Sequence, residues 1–312
     1  MKDNKYTEEC LVSIVCSTYN QKKYIAQCLD SLLMQKTDFA YEIIIKDDAS
    51  TDNQQEILKR YQAEHPEIIK LLLFKENYYS RGLSDEGWEI ALKQCQGKYI
   101  AICEGDDFWT DDQKLQIQVD FMEDHPDYSL FGHAAYYADE DGTLNKNKVF
   151  GLSSESKTIT IEDLLSSWAM ATNSVLYRAS CKDEKPVPYR GQCVNGDFAL
   201  ITYLALKGKV YYSNRIMSAY RVQSSGSLSQ SFIRDQELYK EKRLEFLNML
   251  DRLDEYTNKQ YTAQINNYKE SCLFDYYLTI GDREGLKKYK HKLPMKDKKQ
   301  KVLFFICMYC NK

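Results

Sequence analysis

Strand-like and helix-like segments alternate without a break through the first 125 residues, and this alternation restricts the possible folds more than any other property of the chain. Leu11–Ser17 (LVSIVCS) is a near-continuous apolar run, the pattern of a strand covered on both faces. Residues 22–34 then place Ile25, Leu29, Leu32 and Leu33 on one helical face. Tyr41–Lys46 (YEIIIK) predicts a second strand. A helix over 53–65 follows, carrying Ile57, Leu58 and Tyr61 behind the cap candidates Ser50, Thr51 and Asp52. Ile68–Phe74 predicts a third strand, 85–95 a helix, and Lys98–Cys103 (KYIAIC) a fourth strand. Gln113–His125 predicts a helix with Leu115, Val119 and Met122 inward. Serial repetition of this kind implies an α/β fold: a Rossmann-like, mostly parallel sheet with helices on both faces.

The second half is more mixed. Ser129–Asp139 and Asn173–Arg178 predict strands, and Thr160–Trp168 a short helix opened by Thr160 and Asp163 in a capping-box variant. Residues 195–206 predict a helix, Lys209–Arg221 an extended segment, Ser224–Ser231 (SSGSLSQS) a loop, and 232–250 and 255–280 two further helices. The expected division is an α/β unit at 1–225 and a C-terminal helical extension at 226–312.

A chain of 312 residues buries roughly three quarters of its unfolded surface, so its core needs no disulfide or metal support. The ten cysteines fall mostly in apolar runs, and the single CxxC at Cys307 and Cys310 lacks the second ligand pair of a zinc site. His65 and His125 each precede proline at a helix end and read as structural. The net charge of −4 conceals an asymmetry: nine lysines against Asp297 give 286–312 a charge of +8, leaving −12 on the remainder. An acidic body argues against nucleic-acid partners. The apolar runs are far shorter than the ~20 residues of a membrane span, and residues 1–20 lack a leader pattern, so the expectation is a cytoplasmic protein. The lysine-rich tail followed by Val302–Cys310 suggests docking on an anionic membrane surface.

In parallel sheets ligands bind beyond the carboxyl ends of the strands. Two predicted strands lead directly into acids there, Asp47-Asp48 and Glu104-Gly105-Asp106-Asp107. Clustered carboxylates suit a hard divalent cation, Mn²⁺ or Mg²⁺, shared with a substrate phosphate.

Four stretches in this order resemble glycosyltransferase family 2 enzymes of the GT-A fold. They are Val12–Asn20 (VSIVCSTYN), Glu42–Asp52 (EIIIKDDASTD), Gly97–Trp109 (GKYIAICEGDDFW) with Lys114-Leu115-Gln116 after it, and Gly196-Asp197. The resemblance implies that Thr18, Tyr19 and Asn20 line a nucleotide pocket and that Asp47 or Asp48 accepts a hydrogen bond from the base. It implies that Glu104-Gly105-Asp106 stands at the DxD position, with Asp106 and Asp107 on metal and the sugar diphosphate, and that Asn77 and Arg81 flank the donor. It makes Asp197 a general base for an acceptor hydroxyl in an inverting displacement. Arg221, in Tyr220-Arg221-Val222-Gln223 where the family often has Tyr-Arg-x-His, would pair with a phosphate, and the 224–231 loop would act as a lid. Trp109 is expected on the acceptor side. The implied partners are a nucleotide sugar and a glycan or lipid-linked glycan. The alternatives are a non-catalytic member that binds nucleotide sugar or glycan and, with less support, a sugar nucleotidyltransferase. The latter needs a glycine-rich loop that Ser17–Gln21 lacks.

Overall fold

A computed structural model of the chain describes residues 10–166, 170–181, 187–222, 235–289 and 304. Trp168, Gln223, the 224–231 loop and, apart from 286–289 and 304, the lysine-rich tail lie outside these. The described chain forms two compact units, 1–187 with 197–230 and 188–196 with 231–312.

The first unit is built on β1 (Cys10–Thr18), β2 (Ala40–Asp47), β3 (Ile69–Leu73) and β4 (Tyr99–Glu104), in the spatial order β3-β2-β1-β4 and all parallel. Alternate residues of each strand feed opposite faces, as the two-residue period requires. Val12, Ile14 and Cys16 join Ile43 and Ile45 in one layer, covered by α1 (Ile25–Leu33), α2 (Gln54–Glu64) and α4 (Lys114–Asp124). Val15, Ile44, Ile100 and Ile102 enter the other, covered by α3 (Ser84–Leu92), α5 (Ile161–Ser166) and α6 (Gly196–Ala205). Helices thus flank both faces, as the alternation predicts.

Beyond β4 the sheet continues through β9 (Leu176–Arg178), β6 (Tyr128–Ala138), β10 (Lys209–Arg221) and β5 (Phe108–Trp109). β9 runs antiparallel to both β4 and β6, whereas β10 and β6 are parallel. β7 (Leu144–Phe150) and β8 (Lys157–Ile159) pair at the margins with β6 and β10. The strand expected over 173–178 begins only at Leu176, because residues 172–174 close a 3₁₀ turn. Thr160 and Asp163 do form the expected reciprocal box: the Asp163 N–H donates to Thr160 Oγ1 and the Thr160 N–H to Asp163 Oδ2. His65 and His125 cap the C-termini of α2 and α4.

In the second unit, α7 (Gln236–Tyr256), α8 (Thr262–Ile280) and α9 (Arg283–Lys287) follow one another. Arg252 of α7 donates to the carbonyls of Tyr189 and Arg190. Among the described residues no helix is long and apolar enough to cross a membrane.

Candidate active site

The carboxyl ends of β1, β2 and β4 form one rim. Two glycines let chain segments approach closely, one at each end of β4. A Cβ on Gly97 would lie 2.4 Å from the Ser13 backbone nitrogen, so glycine is required where the chain enters β4. A Cβ on Gly105 would lie 2.6–2.8 Å from Gln21 Oε1, Thr18 Oγ1 and Thr18 Cβ, so the acidic turn after β4 packs directly on the turn after β1.

On the β1–β2 side, Gln54 is the hub that the sequence reading missed. Fully buried, it accepts from Thr18 Oγ1 and the Gln21 N–H and donates to Asp47 Oδ2 and Ser50 Oγ. Asp47 also accepts from the Ser50 N–H and Gln55 Nε2. With no exposed surface, Asp47 organises its loop. Asp48 is nearly as enclosed, and its two oxygens accept from the backbone N–H groups of Tyr78 and Tyr79 at 2.9 and 3.0 Å. Asn20 adopts a left-handed conformation, and its side chain accepts from the Thr51 N–H. Tyr19 is exposed at 46%. Asn77 donates to the Asp48 carbonyl and caps the turn at Ser80, while Arg81 is exposed and paired with Glu76.

On the β4 side, the four acids divide by environment. Asp107 is buried: its Oδ1 accepts from the Arg221 N–H at 2.8 Å and its Oδ2 from Asn173 Nδ2 at 2.8 Å. Each oxygen thus has a partner within the protein, so Asp107 is tied to both Arg221 and Asn173. Burial first, then Asp106 and Glu104, raise its carboxyl well above the usual carboxylate range. Burial also pushes Glu104 up to about 8, reinforced by the charges of Asp106 and Asp197 and opposed by a hydrogen bond to the Thr172 side chain. The charges of both Asp106 and Asp197 thus act on Glu104, although Asp197 arrives from the first turn of α6, far along the chain.

Arg221 does not face a phosphate. The guanidinium is buried and spends its donors on the carbonyls of Asp106, Asp139 and Glu140 and on Gln27 Oε1, between the rings of Tyr24 and Phe108. It fastens the acidic turn to the end of β10. Trp109 is likewise corrected. Its indole is 2% exposed, donates from Nε1 to the Asn173 carbonyl, and lies under Lys114 Nζ at 3.9 Å, so it offers no face to an acceptor. Asn173 joins these parts by donating to Asp107 and the Ala219 carbonyl and accepting from Ser218. Gln54 and Asn173 carry no local pattern that would mark them as hubs.

Among the described residues no three His, Cys, Asp or Glu side chains form a ready metal cage. The donor set nevertheless fits a hard cation completed by substrate oxygens, since Asp106 stands partly exposed among mutually repelling carboxylates.

The family model for glycosyl transferase family 2 matches residues 13–183. The uncharacterized protein Rv1520 of Mycobacterium tuberculosis is 33% identical over 216 residues, 69% of this chain and 60% of the relative, so the match spans less than two thirds of that protein. An Escherichia coli protein named UDP-Glc:alpha-D-GlcNAc-diphosphoundecaprenol beta-1,3-glucosyltransferase WfaP is 30% identical over 220 residues, 70% of this chain and 80% of its own. Staphylococcus aureus TarS 1–349 in complex with UDP-GlcNAc superposes with a TM-score of 0.57 at 16% identity, covering 96% of this chain and 89% of that one. The mannosyltransferase PcManGT of Pyrobaculum calidifontis, in complex with GDP-Man and Mn²⁺, gives 0.59 at 14% identity, covering 98% and 86%. The parallel β3-β2-β1-β4 core, the acidic turn at its rim and the matched 13–183 segment together show that the chain belongs to glycosyl transferase family 2 and has the GT-A fold.

Proposed function

We propose that the chain is an inverting glycosyltransferase. It moves a sugar from a nucleoside-diphosphate sugar, of the UDP or dTDP type, to a hydroxyl of a glycan acceptor in the assembly of a surface polysaccharide or glycoconjugate. The observation that carries this reading is the acidic turn Glu104–Asp107 directly after β4 in a chain matched by the family model over 13–183, with the charge of Asp197 also acting on Glu104. Solved relatives of the same fold hold UDP-GlcNAc, or GDP-Man with Mn²⁺, and the name of the E. coli relative specifies a diphosphoundecaprenol-linked acceptor.

Thr18, Tyr19, Asn20 and Asp48 form the nucleotide side, flanked by Asn77 and Arg81. Asp106, with Glu104 beside it, would hold Mn²⁺ or Mg²⁺, which when bound offsets charge on the departing diphosphate. Asp197 takes the proton from the acceptor hydroxyl as its oxygen bonds to the anomeric carbon. The bond from that carbon to the diphosphate oxygen breaks on the opposite face, which inverts the configuration. Arg221 and Asn173 act by positioning the acidic turn.

The test is release of nucleoside diphosphate from a panel of nucleotide sugars with Mn²⁺, for the wild-type protein and Asp197→Asn. Turnover by the wild type that drops on substitution is expected. Binding of a nucleotide sugar without turnover, unchanged in Asp197→Asn, would replace this reading with a non-catalytic binding protein.

A further inference from the structure

With Trp109 in the core, the acceptor side of the site needs other residues. Three aromatic rings meet on one face of the strands that end beside the acidic turn. Tyr220 of β10 and Tyr137 of β6 are register partners, and Phe150 of β7 pairs with Ala135, two residues before Tyr137 and therefore on its face. Their centroids form a closed triangle, with 6.2 Å between Tyr137 and Tyr220, 5.6 Å between Tyr137 and Phe150, and 5.5 Å between Phe150 and Tyr220. All three are half-buried, each keeping part of its surface open.

The triangle adjoins the reacting groups. Arg221, the next residue, donates its backbone N–H to Asp107 at 2.8 Å, which ties the end of Tyr220's strand to the acidic turn. After burial itself, the carboxylates of Asp107, Glu104, Asp106 and Asp197 are what raise the Tyr220 phenol, so its ring lies within their field.

β7 adds a second element. Asn145 pairs with Tyr137 and Val149 with Tyr136, so residues 146–148 have no partner on β6 and bulge outward. The Asn147 N–H donates to Asn145 Oδ1, folding the bulge, and Lys148 Nζ comes to rest 4.3 Å from the Tyr137 ring centroid. Asn145, Lys146, Asn147 and Lys148 are all exposed. An aromatic face gives weakly positive sugar C–H groups an attractive surface, amides supply hydrogen bonds to hydroxyls, and two lysines suit an anion.

We propose that Tyr137, Phe150 and Tyr220, with the 146–148 bulge, form the acceptor subsite, and that it takes a sugar ring carrying an anionic group, the ring on the aromatic face and the anion on Lys146 and Lys148. This rests on the glycosyltransferase reading and narrows it to an acidic acceptor. The anion is a phosphate or a carboxylate, and the probes distinguish the two.

The experiment is saturation-transfer NMR on the full-length chain with UDP and Mn²⁺ present, using N-acetylglucosamine, N-acetylglucosamine 1-phosphate and glucuronic acid as probes. At least one anionic probe should bind more tightly than the neutral sugar, and the tighter of the two identifies the anion. Lys148→Glu should cancel that preference, about two- to fivefold for an exposed charge pair. Phe150→Ala should weaken all three probes about tenfold. Thermal stabilisation by UDP should be unchanged in both variants, and because Lys148 is exposed its variant separates binding from folding. Probe binding that ignores both substitutions, or UDP binding with no probe binding, overturns the subsite. Probe binding sensitive to both substitutions in a chain that UDP does not stabilise supports the subsite and counts against the donor reading instead.

Discussion

Replacing Lys114 with methionine probes a charge held inside the catalytic unit. Lys114 opens α4 and has no exposed surface; its Nζ donates to Gln118 Oε1 at 2.8 Å and stands over the Trp109 ring. Cys103 of β4 and His133 of β6 are the titratable groups that face it. Burial lowers its amine from 10.5 to about 7, and burial, then the Lys114 charge, hold His133 well below its ordinary value. Between these two lysine values the unfolded chain binds the proton and the folded chain does not, so the cost of burial is released as pH rises through this window. At 1.36 kcal/mol per unit, the cost is about 4 kcal/mol near pH 7 and about 1 kcal/mol near pH 9.5. Methionine fills similar space without a proton. Its introduction strands Gln118 Oε1, a pH-independent loss of about 1–3 kcal/mol. The absolute change is therefore a poor readout, but the stability of Lys114→Met relative to wild type should fall by about 3 kcal/mol across that range. Tyrosines and the other cysteines titrate alike in both proteins and cancel, and Cys103, pushed up to about 11 by burial, stays a thiol across this range. Urea unfolding of both at several pH values, with equal m-values, measures the difference. A difference that does not vary with pH would show that Lys114 keeps its ordinary ammonium in the core and would refute the argument.

Four further outcomes are expected. Gly105→Ala forces a Cβ against Thr18 and Gln21 and should cost about 1–3 kcal/mol in urea unfolding and depress turnover. Arg221→Lys cannot reproduce four hydrogen bonds from one planar group, so it should lose about 2–3 kcal/mol and loosen the acidic turn; unchanged melting and donor binding would contradict this. Asp197→Asn should lower turnover about 10²–10⁴-fold while thermal stabilisation by a nucleotide sugar persists. Deleting 286–312 should abolish sedimentation with anionic liposomes, each lysine contributing about 1 kcal/mol near the surface; full retention would sink the membrane proposal.

Much of the fold is legible because its signals are local. The apolar runs at 11–17, 41–46 and 98–103 become β1, β2 and β4 with ends displaced by one residue. β5, β7 and β8 were missed for physical reasons: the first and last are two and three residues long, and β7 is exposed from Asn145 to Val149, so none shows buried periodicity. The site was legible as a rim of acids, since strand ends carry those acids in the sequence itself. Which acid does what was not. Asp106 and Asp107 are adjacent and chemically identical, yet one is partly exposed and the other enclosed.

By itself, then, the sequence determined the α/β class, the order of the N-terminal strands and the edge on which the carboxylates gather, because hydrophobic period and strand-end position are properties of neighbouring residues. Only the tertiary structure decided which polar groups remain available to a ligand. Asp107 is closed off by Asn173, 66 positions away, and by Arg221, 114 positions away. Arg221 is turned inward by carbonyls of the acidic turn and of the turn after β6, and Trp109 is drawn into the core by Asn173 and Lys114. A buried polar group must find partners wherever the fold brings them, and those partners, rather than the motif, determine whether a side chain meets substrate or supports the one that does.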